Sequence, residues 1–88
     1  MEREQVYKII DSERSYQDQK WNSETTTSDG IHSIEEWLMY IEDYVNEAKH
    51  ILSREARQTA NTKGMEIIRK VGAMAVCAIE QHGAPRRF

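Results

Sequence analysis

Six apolar residues, Ile34, Leu38, Ile41, Val45, Ala48 and Leu52, recur at alternating steps of four and three through an otherwise charged stretch. That spacing puts them on one face of an α-helix and excludes a strand, whose period would be two. Trp37, Tyr44 and Ile51 widen the stripe. Just ahead of it, Ser33-x-x-Glu36 matches a capping box, in which serine oxygen and glutamate each satisfy a free amide at a helix start. The spacing therefore predicts a helix over 34–52, about 28 Å long. Its broad apolar stripe must be buried against another element.

The partner lies further along the chain. A helix is expected over about 62–81, with Gly64, Ile68, Val71, Gly72, Ala75, Ala78 and Ile79 on one face. Small residues there let another helix approach closely. His82-Gly83-Ala84-Pro85 supplies a glycine for a left-handed cap and a proline beyond it. Residues 53–63, SREARQTANTK, lack large aliphatics and are expected to hold the reversal. A first helix is expected over about 2–20, followed by a turn-rich loop at 22–32, and a basic tail at 83–88 closes the chain. The fold class is thus all-α: three helices in a single domain spanning 1–88, with helices 2 and 3 forming an antiparallel hairpin.

Residues 71–79, VGAMAVCAI, contain no polar side chain, so that part of the third helix is apolar all round. Such a helix is normally covered on every side, and 88 residues provide few covers. The expectation is a homo-oligomeric helical bundle.

Charge and cysteine content narrow the function classes. The net charge is -3, and no long basic stripe for duplex nucleic acid is present. The single cysteine, Cys77, excludes a disulfide framework and a thiolate cluster. No apolar run of about 20 residues is available for a membrane span, and the charged start MEREQ carries no apolar leader. These features point to the cytoplasm. No Asp/Glu pair at i, i+3 occurs in helices 2 or 3, no Gly-rich phosphate loop appears, and no nucleophile–base spacing stands out. Neither metal nor cofactor is expected, and the balance is against an enzyme.

The first helix carries the anomaly. The stripe that starts with Val6, Ile9 and Ile10 continues through Glu13, Gln17 and Lys20, flanked by Tyr16 and Trp21. Polar groups at core positions need partners. Aromatic faces beside a cation and an amide suit a nucleobase next to a phosphate. The competing expectation is a Glu13–Lys20 surface pair, with an Arg14–Asp18 pair beside it. The candidate ligand set is Arg14, Tyr16, Gln17, Lys20, Trp21, His32, His82, Arg86 and Arg87. Tyr16 and Trp21 would stack on a base, Arg14, Lys20, Arg86 and Arg87 would meet phosphates, and Gln17, His32 and His82 would direct hydrogen bonds. This site is expected where the loop-proximal end of the first helix meets the end of the third, across a subunit boundary. Its ligand would be a small nucleotide-type molecule, with no membrane and no duplex nucleic acid among the partners.

The segments Glu13-Arg14-x-Tyr16-Gln17-Asp18-x-Lys20-Trp21, His32-Ser33-Ile34-x-Glu36-Trp37, Ile68-Arg69-Lys70-Val71 and Glu80-Gln81-His82-Gly83-Ala84-Pro85-Arg86-Arg87 resemble a group of small phage and prophage proteins. Some of these are labelled MazG-like, after the all-helical nucleotide pyrophosphohydrolases. Those enzymes hold magnesium with ExxE and ExxD motifs, which this sequence lacks, so the resemblance implies a related helical fold more than hydrolysis. In class, though not in motif, the chain is also similar to the phage sponges that sequester cyclic or ADP-ribose-type immune signals of the CBASS and Thoeris defences. That likeness implies binding without catalysis. The alternatives are a MazG-like pyrophosphohydrolase and a phage interaction module with no small ligand.

Overall fold

A computed structural model describes residues 1–20 and 31–87. Most of the expected loop at 22–32, and Trp21 with it, lie outside these described residues. Among them every regular element is helical: α1 spans Arg3–Lys20, α2 spans Ile34–Arg54 and α3 spans Arg57–His82. None of the three is long and apolar enough to cross a membrane.

The capping box forms as expected, with Ser33 Oγ accepting from the Glu36 amide at 3.1 Å and Glu36 Oε1 accepting from the Ser33 amide at 2.9 Å. At the same open end of the hairpin, where α3 stops, Gly83 takes φ 72° and donates its amide to Ile79 O at 2.7 Å. Only a residue without Cβ adopts that conformation cheaply.

The reversal is far shorter than residues 53–63. Glu55 and Ala56 alone connect α2 to α3, Glu55 with extended backbone, and Lys63 spans back to Glu55 at 2.7 Å. The reason is that Arg54 at the end of α2, and Arg57, Gln58 and Ala60 at the start of α3, are strong helix formers with no Gly or Pro among their neighbours in 53–63. Absence of large aliphatics removed the periodic signal without removing the helix. Ala60 is fully buried, because the tight connection presses the start of α3 onto α2.

Helices α2 and α3 pack antiparallel: Trp37 meets Met74 and Cys77, and Leu52 sits 4.0 Å from where a Cβ on Gly64 would be. Ile41, Tyr44 and Ala78 complete this cluster. Helix α1 packs on α3 alone, with no close approach to α2 among the described residues. Its crossing is tight at Gly72, where an added Cβ would come within 2.7 Å of Ile10 Cδ1.

Both hairpin stripes sit differently from the expectation. On α2 the contact to α3 is made along Trp37, Ile41, Tyr44, Ala48 and Ile51, while Ile34, Leu38, Val45 and Leu52 stay exposed. On α3 the buried line is Ala60, Gly64, Ile67, Met74 and Cys77, with Ile68 and Ile79 exposed. Helix α1 divides its expected stripe. Val6 and Ile9, the aliphatic end, are exposed, and the polar pair Glu13 and Gln17 is buried.

Candidate functional site

The buried polar pair explains how α1 docks. Glu13 and Gln17 are four residues apart and share one face, which lies on α3. Glu13 Oε1 accepts from Arg69 Nε at 2.7 Å. Gln17 Nε2 donates to the Lys70 carbonyl at 3.1 Å. Glu13 therefore pairs with a residue of α3, and the Glu13–Lys20 pair is not the one formed. A buried carboxylate requires such a partner, and only α3 can supply it once α1 lies across it. The second amide atom, Gln17 Oε1, is buried with no hydrogen-bond partner.

One flank of α1 is closed by charge. Arg14 donates from Nε to Glu80 Oε1 at 2.7 Å and also binds Asp18. Burial works against its charge, but the hydrogen bonds it donates to Glu80 and Asp18 outweigh it and hold the guanidinium protonated. The expected Arg14–Asp18 pair is therefore present, extended by a third partner. Burial also pushes the nearby Cys77 thiol up, against the opposing field of Arg14, which keeps it protonated at neutral pH.

The other flank is open. Ile9, Ser12, Glu13, Tyr16, Arg69 and Lys70 line a groove of about 460 Å³ between α1 and α3. Tyr16 is 56% exposed and rims it. Lys70 Nζ lies 5.9 Å from the centre of the Tyr44 ring, within cation–π range. Tyr16 and Arg14 project roughly 160° apart around α1, so the two do not share one wall.

His32 and His82 meet at the far end of the hairpin. His82 Nε2 lies 2.6 Å from the His32 carbonyl, which can only accept, so this nitrogen carries the proton. Gln81 Oε1 accepts twice, from Trp37 Nε1 at 2.9 Å and from the His32 amide at 3.2 Å. The His32 ring stands edge-on to Trp37 and to Tyr40, with centroids 5.3 Å away in each case. Its Nδ1 is buried, with only a long 3.5 Å contact to Glu36 Oε2. This cluster ties the start of α2 to the end of α3.

The expected site residues thus fall into separate groups. Gln17 and Tyr16 belong to the α1–α3 seam, Arg14 to its charged flank, and His32 with His82 to the hairpin end. Lys20 is exposed in the last turn of α1, and Arg86 and Arg87 are exposed on the tail. Trp21 is outside the described residues. Sequence reasoning did not include Arg69, Lys70 or Gln81 in the site. Their signal was available, since Arg69 and Lys70 are the cations next to the apolar run and Gln81 is a polar residue at the end of the α3 stripe. No group of three or more His, Cys, Asp or Glu side chains among the described residues is placed to hold a metal ion.

Compared with known protein families, with characterised proteins and with solved structures, the chain matches none.

Proposed function

We propose that this chain binds a small nucleotide-type ligand in the groove between α1 and α3 and holds it without chemical change. The observation that carries the reading is the exposed Tyr16 ring, set beside the Arg69 guanidinium and the Lys70 ammonium in a groove of about 460 Å³. Small-ligand sites commonly span roughly 300–1,000 Å³ and combine an apolar wall with a few polar groups. Stacking on the tyrosine face supports a base, worth about 1–3 kcal/mol, and the two cations support an adjoining phosphate. Arg14 has its charge met by Glu80 and Asp18, and Arg69 shares its charge with Glu13, so the phosphate contact falls first to Lys70, with the part-exposed Arg69 beside it. Arg86 and Arg87, exposed on the tail, stand in this reading as further phosphate contacts. In the class to which the sequence is similar, such a ligand is a cyclic oligonucleotide or an ADP-ribose-type signal, and binding it intact withdraws it from a bacterial defence.

The test is a melting-temperature screen of the purified chain against cyclic dinucleotides, ADP-ribose derivatives and ordinary nucleoside triphosphates. A ligand at 100 times its Kd adds about 2.7 kcal/mol to the folded state. Tyr16→Ala and Lys70→Ala should abolish the shift while leaving the unliganded melting within about 1 kcal/mol, because both side chains rim the groove and neither fills the core. Recovery of the intact nucleotide after denaturation is expected. No shift with any nucleotide would sink the reading, and conversion of the nucleotide would replace it with the pyrophosphohydrolase alternative.

A further inference from the structure

The two hairpin stripes are each rotated off the contact they make, and in the same sense. On α2 the repeat Ile34, Leu38, Ile41, Val45, Ala48, Leu52 is centred about 60° round the helix from the line that faces α3. On α3 Ile68, Ala75 and Ile79 are displaced by about 60–100° from the buried line of Ala60, Gly64, Ile67 and Met74. Because the helices are antiparallel, equal senses of rotation bring both displaced stripes to one side of the hairpin. The side chains there are uncovered: Ile34 is 56% exposed, Leu38 62%, Ile68 57% and Ile79 53%. Val45, Leu52 and Met65 add to the same side.

This geometry is that of corner helices in a four-helix bundle, whose apolar seams point at a common axis about 45° from the line to either neighbour. A single hairpin supplies two corners. We infer that the other two come from a second copy of this chain, packed so that α2 of one lies over α3 of the other.

Two further observations favour a second copy in that arrangement. Helix α2 carries five acids against Lys49 and Arg54, net -3, whereas α3 carries Arg57, Lys63, Arg69 and Lys70 against Glu66 and Glu80, net +2. A twofold axis parallel to the helices places each acidic α2 between two basic helices, antiparallel to both. The alternative twofold, perpendicular to the helices, stacks α2 on α2 and opposes like charges. The second observation is that the exposed aliphatic end of α1, Val6 and Ile9, borders this face where Ile10 rests on Gly72.

The register follows from the hairpin. Rotation about an axis parallel to the helices preserves height, so Leu38 meets the partner's Ile79 and Leu52 meets the partner's Met65. Light scattering and sedimentation of the full chain at micromolar concentration should give a dimer or an even-numbered assembly. Leu38→Glu and Ile79→Glu should each weaken association by roughly a hundredfold while circular dichroism keeps its helical content, since both side chains point away from the chain's own core. Equal mixtures of Leu38→Cys and Ile79→Cys chains should oxidise to a mixed covalent dimer. The unaltered chain, whose one thiol Cys77 is buried, is the control. A stable monomer, an odd-numbered assembly, or an assembly unmoved by both glutamate variants would overturn the inference. So would efficient self-crosslinking of Val45→Cys, which the α2-on-α2 arrangement requires and the proposed one separates across the bundle.

Discussion

Helix α3 is the shared wall of two seams built from opposite materials. Against α2 it presents Ala60, Gly64, Ile67, Met74 and Cys77 to Trp37, Ile41 and Tyr44, with Gln81 as a polar latch at one end. Against α1 it presents Arg69, the Lys70 carbonyl and Glu80 to Glu13, Gln17 and Arg14, with Ile10 on Gly72 as the apolar contact. The first seam is held by area removed from water and resists salt. The second is held by charge and directional bonds, whose net worth is small because water competes for every group. The lesson is that α1 is the detachable part, and that the groove beside it is walled by the less stable seam.

The largest effect should come from Trp37→Ala. Deleting a 4%-exposed indole costs about 3–5 kcal/mol, and it leaves Gln81 without one of its two donors. Because α1, among the described residues, packs on α3 alone, both seams should melt together in urea when followed by circular dichroism. Retention of a docked α1 after the hairpin opens would break the comparison.

Glu13→Ala is the reciprocal experiment. Arg69 keeps a 41%-exposed side chain and can rehydrate, so the loss is discounted to about 1–2 kcal/mol. Amide exchange should rise along residues 3–20 while the hairpin amides stay protected, and 1 M salt should reproduce much of the effect on the unaltered chain. Uniform deprotection of all three helices would show that the seams are not separable.

At the capped start of α2, Ser33→Ala should cost about 1 kcal/mol by urea titration. The same site carries a pH signature. Hydrogen bonding from the Ser33 backbone, opposed by desolvation and reinforced by the serine hydroxyl and His32, holds the Glu36 carboxyl below its ordinary 4.5. A depressed folded value means that the stabilisation is present above pH 4.5 and disappears as pH falls through the folded value. Melting of the unaltered chain and of Glu36→Gln should therefore converge on acidification. A gap that widens towards acid would reverse the assignment.

The smallest effect is expected at the connection. Lys63→Ala removes an exposed ion pair with Glu55 and should change stability by no more than about 1 kcal/mol. A larger loss would mean that the two-residue reversal, and not the apolar seam, holds the hairpin.

The comparison also explains what could be read from residues alone. Helix number, the capping box and the α2–α3 pairing are local or periodic properties, and they are legible in Ser33-x-x-Glu36 and in the four-three spacing. The length of α3 was not, because Arg57–Asn61 forms helix through propensity while carrying no large aliphatic. The face of each stripe that meets its neighbour was not legible either. Periodicity gives the centre of an apolar arc, and here that centre points beside α3 instead of at it. In the candidate site, the demand of Glu13 for a buried partner was readable, but its choice of Arg69, 56 residues away, depends on how α1 crosses α3. Tyr16 and Arg14 are near in sequence and far around the helix, which spacing alone disclosed only once Glu13 and Gln17 fixed the inward face.

That α1, among the described residues, packs on α3 and not on α2 has a consequence for the order of folding. The bonds that dock it span 53, 56 and 66 residues of chain, whereas α2 and α3 are joined through two residues. Loop closure favours the hairpin, so it should form first and quickly. During synthesis the first helix emerges early and waits, its buried-to-be carboxylate and amide still hydrated, until most of α3 has left the ribosome. A polar docking face suits that interval: a segment held waiting with Glu13, Gln17 and Arg14 outward stays in water, where an aliphatic one would seek the nearest wrong partner.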